Sequence, residues 1–289
     1  MSDPTPSVRV TVVGAGTMGH GIAYAAALTG CTVTLTDSRA DVLPQALARI
    51  ADLLAGGVKR GKIAEADRAG ILTRLRLEAS LPAAVEHAEV VIEAILEELA
   101  AKQQLFRAIE RAASPTALLA TNTSSLSIAS IAGVLQEPGR LIGLHFFNPV
   151  HIMRLVEVVT HADTEPATRE RALGFARLLG KEPIVVKDSP GFASSRLGVL
   201  LGLEAMRMLA GGVASAEDID KAMELGYNHP MGPLKVSDLV GLDVRLAIAE
   251  YLYQQLKLPQ YAPPPILRDK VARGELGKKT GKGFYTWSD

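Results

Sequence analysis

The feature that most constrains this chain lies near its start. Val8 to Val13, VRVTVV, is β-branched and apolar, and it runs into GAGTMG at 14–19. The following HGIAYAAALTG is small, apolar and helical until Gly30, and CTVTLTD ends at Asp37. Strand, glycine turn, helix and strand within about thirty residues make a βαβ unit of the dinucleotide-binding type. The three glycines differ in what they allow. Gly14 permits the tight turn, Gly16 lets backbone approach a pyrophosphate, and Gly19 lets the helix pack on the sheet. The helix N-terminus then presents unpaired N–H groups to phosphate. Asp37 ends the second strand, 23 residues after Gly14, where a carboxylate can hold both ribose hydroxyls. Gly14, Gly16, Thr17, Met18, Gly19 and Asp37 are therefore candidate cofactor contacts. Asp37 would repel a 2′-phosphate and so favours NAD over NADP, with Arg39 close by as an opposing charge.

The alternation continues. Helices are expected over 41–54, 65–75, 97–112 and 165–179, and strands over 89–94, 117–121, 141–145, 155–160 and 182–186. This pattern predicts an α/β Rossmann-type, doubly wound, mostly parallel sheet with helices on both faces. Ligands of such sheets sit beyond the carboxyl ends of the strands, where the 121–125 segment and His145 fall. From Gly191 onward no strand is legible. Helices are expected over 192–210, 216–225, 239–256 and 264–273, followed by a glycine-rich basic tail that docks as a loop. The break at Asp188–Pro190 predicts a nucleotide-binding domain over 1–188 and an all-α domain over 189–289.

Lysine plus arginine equals aspartate plus glutamate, 31 against 31, which argues against a nucleic-acid or membrane-surface binder. The single cysteine, Cys31, permits no intramolecular disulfide and reads as a small buried hydrophobe. The opening MSDPTPSVRV lacks a basic segment followed by a long apolar one, and no apolar run reaches membrane-spanning length. These features predict a cytoplasmic location. No spacing of metal ligands is seen.

LHFFNPVHIMRLVEVV, 144–159, sets His145 and Glu157 within apolar strand-like runs. Either alone could be a satisfied core residue. Together, on successive strands, they suit a dyad in which a carboxylate fixes the imidazole tautomer for general-base work on an alcohol. In TNTSSLS, 121–127, Ser125 or Ser127 can cap the next helix. Capping does not explain five polar residues in a row, and one hydroxyl there could bind a substrate oxygen. Lys59, Arg60 and Lys62 read as a solvated helix end that could also meet phosphates. His20 reads as a helix-start residue, and His87, His161 and His229 carry weaker cases.

GAGTMGHGIA, NTSSLSI, HFFNPV, LVEVV, DSPGF, HPMGPL, DLVGLD and GKKTGKGFY occur in that order over nearly the whole chain. Together they resemble the short-chain L-3-hydroxyacyl-CoA dehydrogenases, which include 3-hydroxybutyryl-CoA dehydrogenases. The resemblance implies NAD as cofactor, an acyl-CoA substrate and a homodimer formed through the helical domain. It makes His145 the base, Glu157 its orienting partner and Ser124 the group on the substrate's 3-oxygen. It places Asn148 near nicotinamide and substrate, and Glu97, Lys102 and Lys279 at the cofactor. It sets Lys59 and Arg60 at the CoA nucleotide end. Two positions depart from the family pattern: Ser195 stands where PGFxxNR has asparagine, and His151 where proline is usual. Both leave the acyl preference open. Two other readings share the scaffold, a dehydrogenase of a non-CoA hydroxy acid and a catalytically idle NAD-binding relative. Turnover of a thioester separates them.

Overall fold

The computed structural model describes residues 7–288, and residues 1–6, where a leader was sought, lie outside them. The chain divides into two compact units, Met1–Asp188 and Ser189–Asp289.

The first unit is built on β1 (Arg9–Val13), β2 (Thr32–Thr36), β3 (Leu75–Leu77), β4 (Val90–Glu93), β5 (Leu118–Thr121), β6 (Leu141–Phe146), β7 (Leu155–Thr160) and β8 (Glu182–Lys187). They form one eight-stranded sheet in the order β3-β2-β1-β4-β5-β6-β7-β8. Every neighbouring pair is parallel except β6 and β7, which are antiparallel. The helices are α1 (Thr17–Leu28), α2 (Leu43–Lys59), α3 (Glu65–Leu72), α4 (Leu81–Val85), α5 (Leu99–Ala112), α6 (Ile128–Ala132) and α7 (Pro166–Leu178). The doubly wound sheet expected from the alternation is present. Its central strands are buried on both faces, as a sheet covered by helices requires: β4, β5 and β6 expose nothing along their length. Alanines on α1 let that helix lie close on the sheet, with Ala23, Ala26 and Ala27 fully buried. Cys31 is buried at 1 % exposure, as a small core residue.

Two differences from the expected elements have clear causes. β3 is an edge strand of three residues, half exposed, too short to show a period. The helix expected over 65–75 stops at Leu72 so that Leu75 can pair with Val33.

The second unit is α8 (Ser194–Ala210), α9 (Ala216–Gly226), α10 (Pro233–Val240), α11 (Leu242–Leu256) and α12 (Pro265–Ala272). The helix expected over 239–256 is instead two helices, because Gly241 adopts φ +100° between α10 and α11. Its own core gathers Val199, Leu203, Met206, Leu234, Leu242 and Leu252. The basic tail does dock: the N–H groups of Phe284 and Tyr285 and the indole of Trp287 all donate to the buried Asp238 carboxylate, each at 2.9 Å.

Candidate active site

The glycine loop behaves as its sequence requires. Gly14 sits at φ +107°, where an added Cβ would lie 2.5 Å from the Ala94 carbonyl oxygen. A Cβ on Gly19 would overlap the Gly14 carbonyl oxygen, so α1 can start here only with glycine. Gly16, the N-cap of α1, faces open space: a Cβ there meets nothing within 4 Å. Thr17 and Met18 form the first turn of α1, Thr17 exposed and Met18 partly so. Asp37, just past β2, accepts the Ala15 N–H at 2.8 Å and the Arg39 N–H at 3.0 Å. One carboxylate therefore ties the loop to the end of β2. Beyond these strand ends lies a cleft of about 870 Å³, lined in part by Gly14, Gly16, Asp37, Arg39, Arg49 and Leu105. That volume is within the range of small-molecule and cofactor sites. The open face at Gly16, the acidic group at Asp37 and the cleft fit a dinucleotide.

Farther along the same strand ends, His145 on β6 lies directly opposite Glu157 on antiparallel β7. His145 Nδ1 is 2.7 Å from Glu157 Oε2, with His145 at 6 % exposure and Glu157 at none. A carboxylate only accepts, so Nδ1 carries the proton of this bond. The Phe147 ring packs at 4.4 Å from the imidazole. Asn122 ties the next strand in, its side-chain oxygen accepting the Phe146 N–H at 2.9 Å.

Ser124 is held from behind by Glu97. One carboxylate oxygen of Glu97 accepts from Thr123 Oγ1 at 2.6 Å, the Ser124 N–H at 2.9 Å and the Ser125 N–H at 3.0 Å. The Ser124 hydroxyl lies 3.2 Å from the same oxygen. Partial burial would raise the Glu97 pKa. The Thr123 hydroxyl, the Lys102 charge and the two N–H groups outweigh it and hold the carboxyl below its ordinary value. Lys102 is fully buried, with Nζ 2.5 Å from Glu93 Oε1 and 3.5 Å from Glu97 Oε2. Glu93 also accepts the Thr121 hydroxyl at 2.6 Å. Lys102 therefore stands behind Glu97 rather than at the surface of the site. Glu93 was legible, as an acid inside the apolar run EVVIEA, by the logic that marks His145 and Glu157. Thr123 lies in the polar TNTSS run, but nothing in its spacing separates it from Ser124.

Asn148 lies exposed just beyond β6, and Lys59 and Arg60 are exposed at the end of α2. His151 packs edge-on against Tyr24, ring centres 6.0 Å apart. Burial, helped by the charges of Arg60, Lys181, Lys62 and His20, pushes its pKa down. The structure thus gathers a basic group around His151 that includes Lys181, which sequence spacing did not mark. In the helical unit, Ser195 lies in the first turn of α8, and Lys279 reaches Asp243 at 2.6 Å. Among the described residues no group of acids, histidines or cysteines could hold a metal ion. Nor is any described helix long and apolar enough to cross a membrane.

A doubly wound sheet with this loop, this cleft and a His–Glu pair defines a class, the NAD-dependent oxidoreductases with a Rossmann-type domain. Comparison with known proteins narrows it. Residues 9–189 match the NAD binding domain of 3-hydroxyacyl-CoA dehydrogenase and residues 191–287 match its C-terminal domain. The chain belongs to the NAD-dependent 3-hydroxyacyl-CoA dehydrogenase family. It is 42 % identical over 281 residues to a probable 3-hydroxybutyryl-CoA dehydrogenase of Bacillus subtilis, covering 97 % of this chain and 98 % of that one. It is 41 % identical to the human mitochondrial hydroxyacyl-coenzyme A dehydrogenase, covering 96 % of this chain and 91 % of that one. The crystal structure of (S)-3-hydroxybutyryl-CoA dehydrogenase from Ralstonia eutropha superposes with a TM-score of 0.94 at 40 % identity, covering 97 % of this chain and 99 % of that one.

Proposed function

We propose that this enzyme oxidises the 3-hydroxyl of a short-chain (S)-3-hydroxyacyl-CoA, such as 3-hydroxybutyryl-CoA, to the 3-oxo thioester, reversibly. The observation that carries the reading is the buried 2.7 Å contact between His145 and Glu157 at the strand ends of an NAD-binding sheet. NAD, when bound, supplies the hydride acceptor. Gly14, Gly16, Thr17, Met18 and Gly19 cradle its phosphates, Asp37 holds the ribose, and Glu97, Asn148 and Lys279 add contacts. Lys102 acts on the cofactor side through Glu97, to which it is paired.

Ser124 donates to the substrate's 3-oxygen, and Glu97 keeps Ser124 in place. His145 Nε2 takes the hydroxyl proton as C3 becomes a carbonyl. Glu157 keeps Nδ1 protonated and stabilises the imidazolium that results. In the reverse direction the same imidazolium returns the proton. Ser195 meets the thioester end, and Lys59 and Arg60 meet the CoA phosphates.

The protein works in the cytoplasm as a homodimer through the helical unit. Exposed Leu197, Val213, Leu225 and Tyr227 on that unit support an apolar interface. The test is His145→Ala. It folds and binds NADH, yet kcat falls by about 10²–10⁴-fold, the range for loss of a general base. A near-normal kcat would remove the dyad from the mechanism.

A further inference from the structure

Around His151, in the connection between β6 and β7, the first unit collects basic side chains from three other places in the chain. His20 comes from α1, Arg60 and Lys62 follow α2, and Lys181 directly precedes β8. Contacts fix the group. His151 packs edge-on against the Tyr24 ring, centres 6.0 Å apart. A Cβ built on Gly57 would lie 3.7 Å from the Tyr24 hydroxyl, and one built on Gly56 would lie 3.2 Å from Arg60 Nη1. Tyr24 and the Arg60 guanidinium therefore lie against the same end of α2. Lys181 Nζ donates to the Val150 carbonyl and, at 2.9 Å, to the Met153 carbonyl, so it is tied to the backbone on both sides of His151. An ammonium has three donors, which leaves one for a ligand.

Among the described residues no carboxylate is ion-paired with any of these cations, and the acid beside Lys181, Glu182, is taken by Arg154 at 2.6 Å. Arg60 and Lys62 are exposed and His20, His151 and Lys181 are half-buried, so the group opens to solvent. Like charges gathered without an acid repel one another, and an anion relieves that repulsion. Histidine is the member whose charge can follow the anion near neutral pH. Burial, then the charges of Arg60, Lys181, Lys62 and His20, hold the His151 pKa below its ordinary value, so without an anion the ring is neutral at pH 7.

We propose that His151 is a proton-coupled contact for a phosphate group of the coenzyme A substrate, bound together with Arg60 and Lys181. This rests on the thioester activity proposed above, and it adds a titrating partner to the fixed charges of Lys59 and Arg60. The phosphate brings negative charge, the imidazole takes one proton from solvent, and the imidazolium donates to a phosphate oxygen. Proton affinity is then higher in the complex than in the free enzyme. The contact therefore contributes in mild acid and fades as pH rises. Inorganic phosphate and the pyrophosphate of NAD offer the same chemistry, and the test separates the sources.

The test measures KM for acetoacetyl-CoA and for acetoacetyl-pantetheine, which carries no phosphate, at pH 6 and pH 8 with saturating NADH. The enzymes are the wild type, His151→Gln and His151→Lys. At pH 6 the KM of His151→Gln for acetoacetyl-CoA is about fivefold or more above that of the wild type, and at pH 8 the two converge. The difference lies in KM and not in kcat. His151→Lys, whose charge persists at higher pH, has a KM below that of the wild type at pH 8. With acetoacetyl-pantetheine the three enzymes share one KM at each pH. A gap of equal size at both pH values, or equally large with acetoacetyl-pantetheine, makes His151 a packing residue and overturns the proposal. So does a shift in the NADH dissociation constant in place of the thioester KM, which gives the anion to the cofactor. So does loss of inhibition by inorganic phosphate with the thioester KM unchanged, which gives it to a free ion. Each of these leaves the activity standing. Turnover of neither thioester by protein that binds NADH overturns the activity and this proposal together.

Discussion

His145 and Glu157 face each other across β6 and β7, and the hydrogen bond between them orients the ring. Glu157→Gln keeps a hydrogen-bonding group there but removes the charge that, in the proposed mechanism, stabilises the imidazolium. We expect kcat to fall by about 10²-fold or more with the NADH dissociation constant unchanged, read by stopped-flow turnover and fluorescence titration. Glu97 gives a second residue-level prediction, in pH. Its folded pKa lies below the ordinary carboxylate value, so its contribution to stability is full above the unfolded pKa. That contribution is lost as pH falls through the lower folded value. Urea midpoints of wild type and Glu97→Gln should therefore differ most near neutrality and converge in acid. A gap that widens as pH falls would reverse the sign. His145 and Glu157 were legible because each is ionisable within an apolar strand. The partner that buries Glu93, Lys102, was legible only as a cofactor contact, since no spacing rule joins a strand residue to a buried lysine on the next helix.

At the scale of elements, the first βαβ unit was legible because Gly14 and Gly19 each answer a separate steric demand, while Gly16 leaves the loop open. Gly19→Ala should break the start of α1, since a methyl there overlaps the Gly14 carbonyl. NADH affinity should weaken by about tenfold or more, roughly 1.4 kcal/mol or above, in a fluorescence titration. The β4–α5 connection rests on the buried Glu93–Lys102 pair. Lys102→Met leaves Glu93 buried and uncompensated, which costs about 3–5 kcal/mol in urea denaturation. Adding Glu93→Leu should return part of that loss, because replacing both members of a buried pair with apolar groups is far less costly than removing one. The split between α10 and α11 was not legible, because a glycine after a helical pattern marks a stop or a kink equally well, and only the φ of +100° at Gly241 decides.

At the scale of the whole molecule, the division into a sheet unit and a helical unit followed from the loss of strand signals after residue 188. The docking site of the tail did not, because Asp238 and the donors of residues 284–287 lie more than forty residues apart. Asp238→Asn keeps the shape but halves the acceptor capacity under three donors. We expect about 2–4 kcal/mol of destabilisation of the helical unit and earlier cleavage in the tail under limited proteolysis. The central claim, that this fold and dyad act on a coenzyme A thioester, is tested most directly by following NADH absorbance with the purified protein and either acetoacetyl-CoA or free acetoacetate. We predict rapid NADH oxidation with the thioester and none above background with the free acid. Equal rates with both, or oxidation of neither by protein that still binds NADH, would contradict the account.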